Sequence, residues 1–183
     1  MLLPDALRAR LTGEIDRLRG VAADVAWVAE ANLHVTLKFL GQIDAGRVAP
    51  IAEALGAVAA RTPPLELAVR GLGAFPTPVR ARVVWVGLEP IGPLAAVAAE
   101  LDTALGTLGI PRESRPFAAH VTLGRVRESR RNLGLADALA WPAECGRLPV
   151  TRLSLMRSEL HPRGARYTEL TSVMLARAAS PVE

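Results

Sequence analysis

The chain has 183 residues, half of them hydrophobic, with a mean hydropathy of +0.25. That is long enough for one sizeable domain or two small lobes sharing a core and too apolar for disorder, and no stretch reaches the roughly 18 unbroken apolar residues of a membrane span. Net charge is +4, from 22 Lys+Arg against 18 Asp+Glu, which permits an anionic partner without demanding one.

Residues 4–19, PDALRARLTGEIDRLR, predict a helix, with Leu7, Leu11, Ile15 and Leu18 at helical spacing behind Pro4. The opening MLLPDALRARL lacks the basic-then-apolar pattern of a secretion signal, so a soluble cytoplasmic protein is expected. Residues 25–28 read as a short strand and 33–40 as a longer one, rich in β-branched and aliphatic side chains. The Ala-rich 44–61 predicts a helix beginning around Pro50. LELAVRGLG, 65–73, alternates as a strand does, and the Gly/Pro-dotted GAFPTPVRA leads into the strand 82–88. Residues 91–108 predict a helix, GIPRESRPF a loop, 118–126 a strand and 132–140 a short helix. Two long strands, 146–160 and 165–175, close the chain around the turn HPRG, with a frayed tail behind them. Cys145, the only cysteine, excludes an internal disulfide and a cysteine zinc site and reads as an inert thiol. No Gly-rich nucleotide fingerprint follows any strand.

The chemistry lies in a repeated tetrapeptide. The chain has three histidines, and two of them open HVTL: NLHVTLKFLG at 32–41 and FAAHVTLGRV at 117–126. On a strand, His34 and Thr36 share one face while Val35 and Leu37 share the other, and His120 and Thr122 repeat the arrangement. With one copy per half, the order of elements predicts an α+β protein of two related lobes in a single domain over 1–183. If the lobes face each other, two imidazoles and two hydroxyls converge on one cleft. Imidazole suits proton transfer near neutral pH, and a pair can divide an in-line displacement at phosphorus. One takes a proton from water; the other gives one to the departing oxygen. Two histidines without a neighbouring Asp, Glu or Cys are too few for zinc, so neither metal nor cofactor is expected.

These residues resemble the 2H phosphoesterase superfamily and, within it, the RNA 2′,3′-cyclic phosphodiesterases of the LigT type, formerly called 2′-5′ RNA ligases. Trp27, VVWVGL at 83–88 and LSLMRSEL…GARYTEL strengthen the likeness, which runs from about Pro4 to Leu175. The resemblance implies a bilobed α+β fold, two antiparallel sheets lining a central cleft with helices outside. It implies hydrolysis of RNA 2′,3′-cyclic phosphate ends, or of a small cyclic nucleotide, to 2′-phosphates. His34 resembles the proton donor to the 3′-oxygen and His120 the base that activates water; the residues alone leave the two roles interchangeable. Thr36 and Thr122 resemble the phosphate-binding threonines. Arg125 resembles a phosphate contact, although strict alternation from His120 turns it to the opposite face unless Gly124 marks a bulge. A monomer without an obligate protein partner or a membrane is expected. The family's strand before the first helix is here reduced to two or three residues.

Other signals weigh less. Lys38, the sole lysine, shares the face of His34 by period two and reads as an RNA-backbone contact or a solvated rim lysine. The cluster Arg125, Arg127, Arg130 and Arg131 reads as a guide for RNA or as a solvated loop. Phe75 and Trp85 can stack on a base, with core packing the safer expectation. Tyr167 falls near the cleft or in the core, and His161 on a surface turn. Two competing functions are a non-catalytic RNA- or nucleotide-binding module, against which two intact imidazoles argue, and RNA ligation. Lys38 sits in KFLG without the acid of an ATP-dependent ligase's KxDG, leaving at most weak, ATP-independent reverse 2′-5′ joining.

Overall fold

The structure is a computed structural model that describes residues 1–128, 131–161 and 164–176. Arg130, the centre of the HPRG turn and the tail from 177 lie outside the described residues. The first helix, α1 (Asp5–Arg19), buries Leu7, Leu11, Ile15 and Leu18 along one stripe, with Asp5 in its first turn and Arg17 and Arg19 in its last, each sign matching the helix dipole. The strands that follow are β1 (Val25–Trp27), β2 (Leu65–Phe75), β3 (Val83–Glu89), β4 (His120–Val126), β5 (Glu144–Val150), β6 (Arg152–His161) and β7 (Gly164–Met174), with α2 (Val48–Ala59), α3 (Ile91–Thr107) and α4 (Leu133–Leu139) between them.

Two antiparallel sheets result. One has five strands in the order β1-β4-β3-β2-β5, and the other is the β6–β7 hairpin. Each strand of the larger sheet is two-faced. Leu67 and Val69, Val84, Val86 and Leu88, and Val121 and Leu123 turn into the core, which α1 and α4 cover. α2 packs on the hairpin and on α3. Asn132 caps α4, its Oδ1 accepting from the Leu135 N–H at 2.9 Å. The opposite face of the larger sheet and the inner face of the hairpin line the cleft. No described helix is long and apolar enough to cross a membrane.

Three sequence expectations change. The strand expected over 33–40 reduces to two bridging residues, His34 and Val35. Leu2 pairs with His34, the Met1 nitrogen donates to the Val35 carbonyl at 2.8 Å, and Val35 pairs with Val121. Beyond Val35 the chain peels away: Lys38 turns to α3 and Gly41 takes φ 75°, a left-handed backbone that glycine tolerates. The single strand expected over 146–160 breaks at Thr151. Its first part, holding Pro149, is an edge strand of the larger sheet, where a missing N–H costs no ladder bond. Its second part crosses to the hairpin. The helix expected to start at Pro50 begins at Val48, with Pro50 in its first turn, where the lost N–H has no helical partner to lose.

Candidate active site

The Val35–Val121 bridge sets the site. Both valines are buried, at 1% and 0% exposure, and both HVTL segments hang on this one antiparallel contact. Its register puts His34 across from Thr122 and Thr36 across from His120, so all four polar side chains stand on one face, opposite the buried valines. The aliphatic positions of the repeat therefore anchor it, and the polar positions face the cleft.

Each imidazole is held in the same way. His34 Nδ1 donates to the Asn32 carbonyl at 2.7 Å, and His120 Nδ1 donates to the Ala118 carbonyl, also at 2.7 Å. A carbonyl only accepts, so Nδ1 carries the proton and Nε2 is left for exchange. The surroundings differ. His34 packs against Tyr167, ring centroids 4.6 Å apart, and Asn32 ties this corner to the hairpin by donating its Nδ2 to the Ala165 carbonyl at 2.7 Å. Burial pushes the His34 pKa below the usual imidazole value, and the nearby His120 adds to that direction. Asn32, His34, Met156 and Tyr167 line a groove of ≈ 250 Å³.

His120 instead meets an aromatic wall. Phe75 presents its ring edge-on at 5.2 Å and Trp85 lies at 6.4 Å. The core expectation for these two rings is overturned. Trp85 pairs with Thr122 and Gly73, and Phe75 with Val83, positions on the cleft face; the alternate residues Val84 and Val86 are the buried ones. Gly73 has no side chain because the Trp85 indole lies on its backbone, where a Cβ would overlap the ring. The chain has three Phe, three Trp and one Tyr, and of these Phe75, Trp85 and Tyr167 touch or approach the two histidines. Strand alternation was the signal for Trp85, which is out of phase with Val84 and Val86; Phe75 is in phase with the buried Val69 along β2, and the register shift between Arg70 and Leu72 turns it to the cleft.

The bulge considered for Arg125 is present. Val84 pairs with Gly124 and Trp85 with Thr122, which leaves Leu123 without a partner on β3. That extra residue restores phase, and Arg125, paired with Val83, shares the cleft face with Thr122 and is exposed. Gly124 fits under Trp27, whose ring would meet a Cβ there at 2.8 Å. Thr36 is exposed and Thr122 half-buried on the same face.

Lys38 does neither thing expected of it. Its side chain is 8% exposed, donates to Asp102 on α3 and to the Pro111 carbonyl at 2.6 Å, and never reaches the rim. Asp102 also accepts from the Glu113 N–H at 3.0 Å. The hydrogen bond from Lys38, followed by that from Glu113, holds the Asp102 carboxyl below the usual carboxylate range. This clamp joins the segment after the first motif to the one before the second. Cys145 is buried, its thiol pushed up to about 11 chiefly by burial, and is inert as expected. His161 is exposed at the end of β6. Among the described residues no group of three or more His, Cys, Asp or Glu has the spacing to hold a metal.

Residues 3–162 match the model of the 2'-5' RNA ligase superfamily. The chain is 34% identical to an RNA 2',3'-cyclic phosphodiesterase of Methanothermobacter thermautotrophicus, over 92% of each chain. It is 36% identical to one from Archaeoglobus fulgidus, over 91% of this chain and 92% of that one. Among solved structures, TT0787 of Thermus thermophilus superposes with a TM-score of 0.80 at 29% identity, covering 94% of this chain and 93% of that one. E. coli LigT complexed with 3'-AMP superposes with a TM-score of 0.75 at 27% identity, covering 96% and 94%. A paired HVTL repeat joined across one antiparallel bridge, in a chain alike over nearly its whole length to these proteins, makes this protein a member of the 2'-5' RNA ligase superfamily.

Proposed function

We propose that this chain is an RNA 2′,3′-cyclic phosphodiesterase, opening a terminal 2′,3′-cyclic phosphate to a 2′-phosphomonoester with His34 and His120 as its proton-transfer pair. The relatives bearing that name, 34% and 36% identical over nearly the whole chain, support the activity. The observation that carries the mechanism is the matched pair of imidazoles across the Val35–Val121 bridge, each with Nδ1 engaged by a carbonyl and Nε2 left for chemistry.

His120 Nε2 takes a proton from a water molecule as its oxygen bonds to phosphorus. The bond from phosphorus to the 3′-oxygen breaks, and protonated His34 gives its Nε2 proton to that oxygen. The family resemblance supports this division of roles. Thr36, Thr122 and Arg125 bind the non-bridging oxygens, where charge concentrates in the transition state. Ring strain in the cyclic phosphate makes the alkoxide a good leaving group, so the residues need no metal. Phe75 and Trp85 offer a base a stacking face beside the reaction. With a 5′-hydroxyl attacking phosphorus in place of water and the 3′-oxygen departing as before, the same pair joins a 2′-5′ bond weakly and without ATP.

The test supplies RNA ending in a 2′,3′-cyclic phosphate, with chelator present, and identifies the product end. A 2′-phosphate is expected. A 3′-phosphate product, or turnover that needs added metal, refutes the reading.

A further inference from the structure

The arginines of this chain fall into two groups. Among the described residues, nine of them pair with acids: Arg70 with Glu89, Arg147 with Glu66 and Arg61 with Glu100 are examples. Eight form no ion pair and no side-chain hydrogen bond with a described residue, and five of these eight are Arg80, Arg82, Arg125, Arg127 and Arg131. All five are exposed. The backbone gathers them at one end of the β3–β4 pair. The Val126 N–H donates to the Arg82 carbonyl at 3.0 Å, which sets Arg82 beside the Arg125–Arg127 segment. The Asn132 N–H donates to the Val79 carbonyl at 3.1 Å, which brings Arg131 to the turn that carries Arg80. Among the described residues of these segments the acids are two against five cations: Asp24, half-buried with Oδ1 accepting from Asn132 at 3.5 Å, and the exposed Glu128.

The cluster is continuous with the cleft. Arg125 shares the face of Thr122 and His120, and β4 runs from His120 toward Arg127, roughly 20 Å at strand rise. A surface of planar, unpaired guanidiniums leading out of a phosphate site fits successive phosphodiesters of one strand. We propose that this arginine end of β3–β4 binds the backbone phosphates of the RNA on the 5′ side of the cyclic end, so that the enzyme prefers oligonucleotides to mononucleotides. The inference rests on the phosphodiesterase reading for its substrate, and its test separates the two.

The variant carries Arg80→Gln, Arg82→Gln and Arg127→Gln together, leaving Arg125 in place. Two readouts are needed: binding of a single-stranded RNA decanucleotide across a salt series, and hydrolysis of a nucleoside 2′,3′-cyclic phosphate. The variant is expected to bind the decanucleotide at least tenfold more weakly at low salt, with the slope of log affinity against log salt shallower by about 2. Hydrolysis of the mononucleotide is expected to be unchanged, which also shows that the variant folds. Equal binding by wild type and variant overturns the patch, as does poly-glutamate competing as well as RNA, which points to an acidic protein partner. Salt-dependent RNA binding lost in the variant, with no wild-type hydrolysis of either substrate, sustains the patch and refutes the phosphodiesterase.

Discussion

The two HVTL segments share four residues, one bridge and one way of holding an imidazole, yet they look out on different surroundings. Both rings are half-buried, but His34 lies beside Tyr167 and the groove it lines with Met156, while His120 stands against Phe75 and Trp85. Identical local sequence thus fixes what must be common to both halves: the buried Val, the outward His and Thr, and the Nδ1 hydrogen bond two residues back. The difference comes from what the rest of the chain brings alongside. The hairpin supplies the His34 wall, and β2 with β3 supplies the other. A symmetric pair of groups in asymmetric surroundings can take opposite parts in one reaction, because environment sets which form of each imidazole is favoured.

The largest effect tests whether the halves are equal in chemistry and unlike in role. His34→Ala and His120→Ala are each expected to lower kcat by about 10²- to 10⁴-fold, measured on the cyclic mononucleotide. The double variant is expected to be little worse than either single one, since the two groups act on one transition state. The pH profiles should diverge: loss of the donor removes the alkaline limb of kcat/KM, and loss of the base removes the acid limb. A near-normal rate in either single variant breaks the comparison.

The next effect belongs to the His120 side alone. Trp85→Ala is expected to raise KM about tenfold, within the 1–3 kcal/mol that a stacked base contributes, with kcat held within a few-fold. Gly73→Ala should act in the same direction, because its Cβ displaces the indole. If Gly73→Ala binds substrate as wild type does, the aromatic wall is not where the base lies.

These walls also show what was legible in the sequence. The doubled HxT, a strand's alternation and the bulge option at Gly124 led to His34, Thr36, His120, Thr122 and Arg125 on one face, because each depends on neighbours along the chain. Lys38 was misread because period two holds only while a strand continues, and this one ends at Val35. Its partner, Asp102, is 64 residues away. For Phe75 and Trp85 the sequence favours the core over a stacking face, because hydrophobicity says only that a ring avoids water. Which face of the sheet is covered by helices is decided by α1 and α4, from outside those strands. The break of 146–160 at Thr151 likewise depends on two sheets competing for one run of residues.

A smaller effect concerns the clamp that joins the two halves. Lys38→Met leaves Asp102 with a less well-compensated charge and frees Pro111 and the segment leading to Ala118, whose carbonyl orients His120. Thermal stability is expected to fall, and kcat to drop several-fold with KM nearly unchanged. Asp102 is held low in the fold, so its contribution is present above the ordinary carboxylate range and is lost as pH falls through its depressed value. Acid unfolding of Asp102→Asn should therefore show a weaker pH dependence than wild type. Arg in place of Lys38 keeps the charge but brings a bulkier fork into a site 8% exposed, and should rescue only in part.

The smallest effect isolates the asymmetry itself. Asn32 and Ala118 hold the two imidazoles through the same backbone carbonyl, but only Asn32 has a side chain that reaches out, and it ties His34 to β7. Asn32→Ala makes the first corner resemble the second. The tie to Ala165 is lost, Tyr167 loosens, and water gains access to His34. Two causes then oppose each other: less burial raises the His34 pKa, while a weaker hydrogen bond to the carbonyl of residue 32 lowers it. Burial is the larger of the two in the intact protein, so the net movement is upward, toward the ordinary imidazole value. In the proposed role of proton donor, His34 must be protonated in the free enzyme, so the alkaline limb of kcat/KM is expected to move to higher pH with only a few-fold loss in kcat. Stability carries the same sign. A His held low in the fold contributes most above about pH 6.5 and loses that contribution as pH falls, because the unfolded chain takes the proton more readily. The variant should lose less stability than wild type between neutral and mildly acid pH. An alkaline limb that stays in place, together with an unchanged pH dependence of unfolding, would mean that the hairpin does not set the protonation of His34.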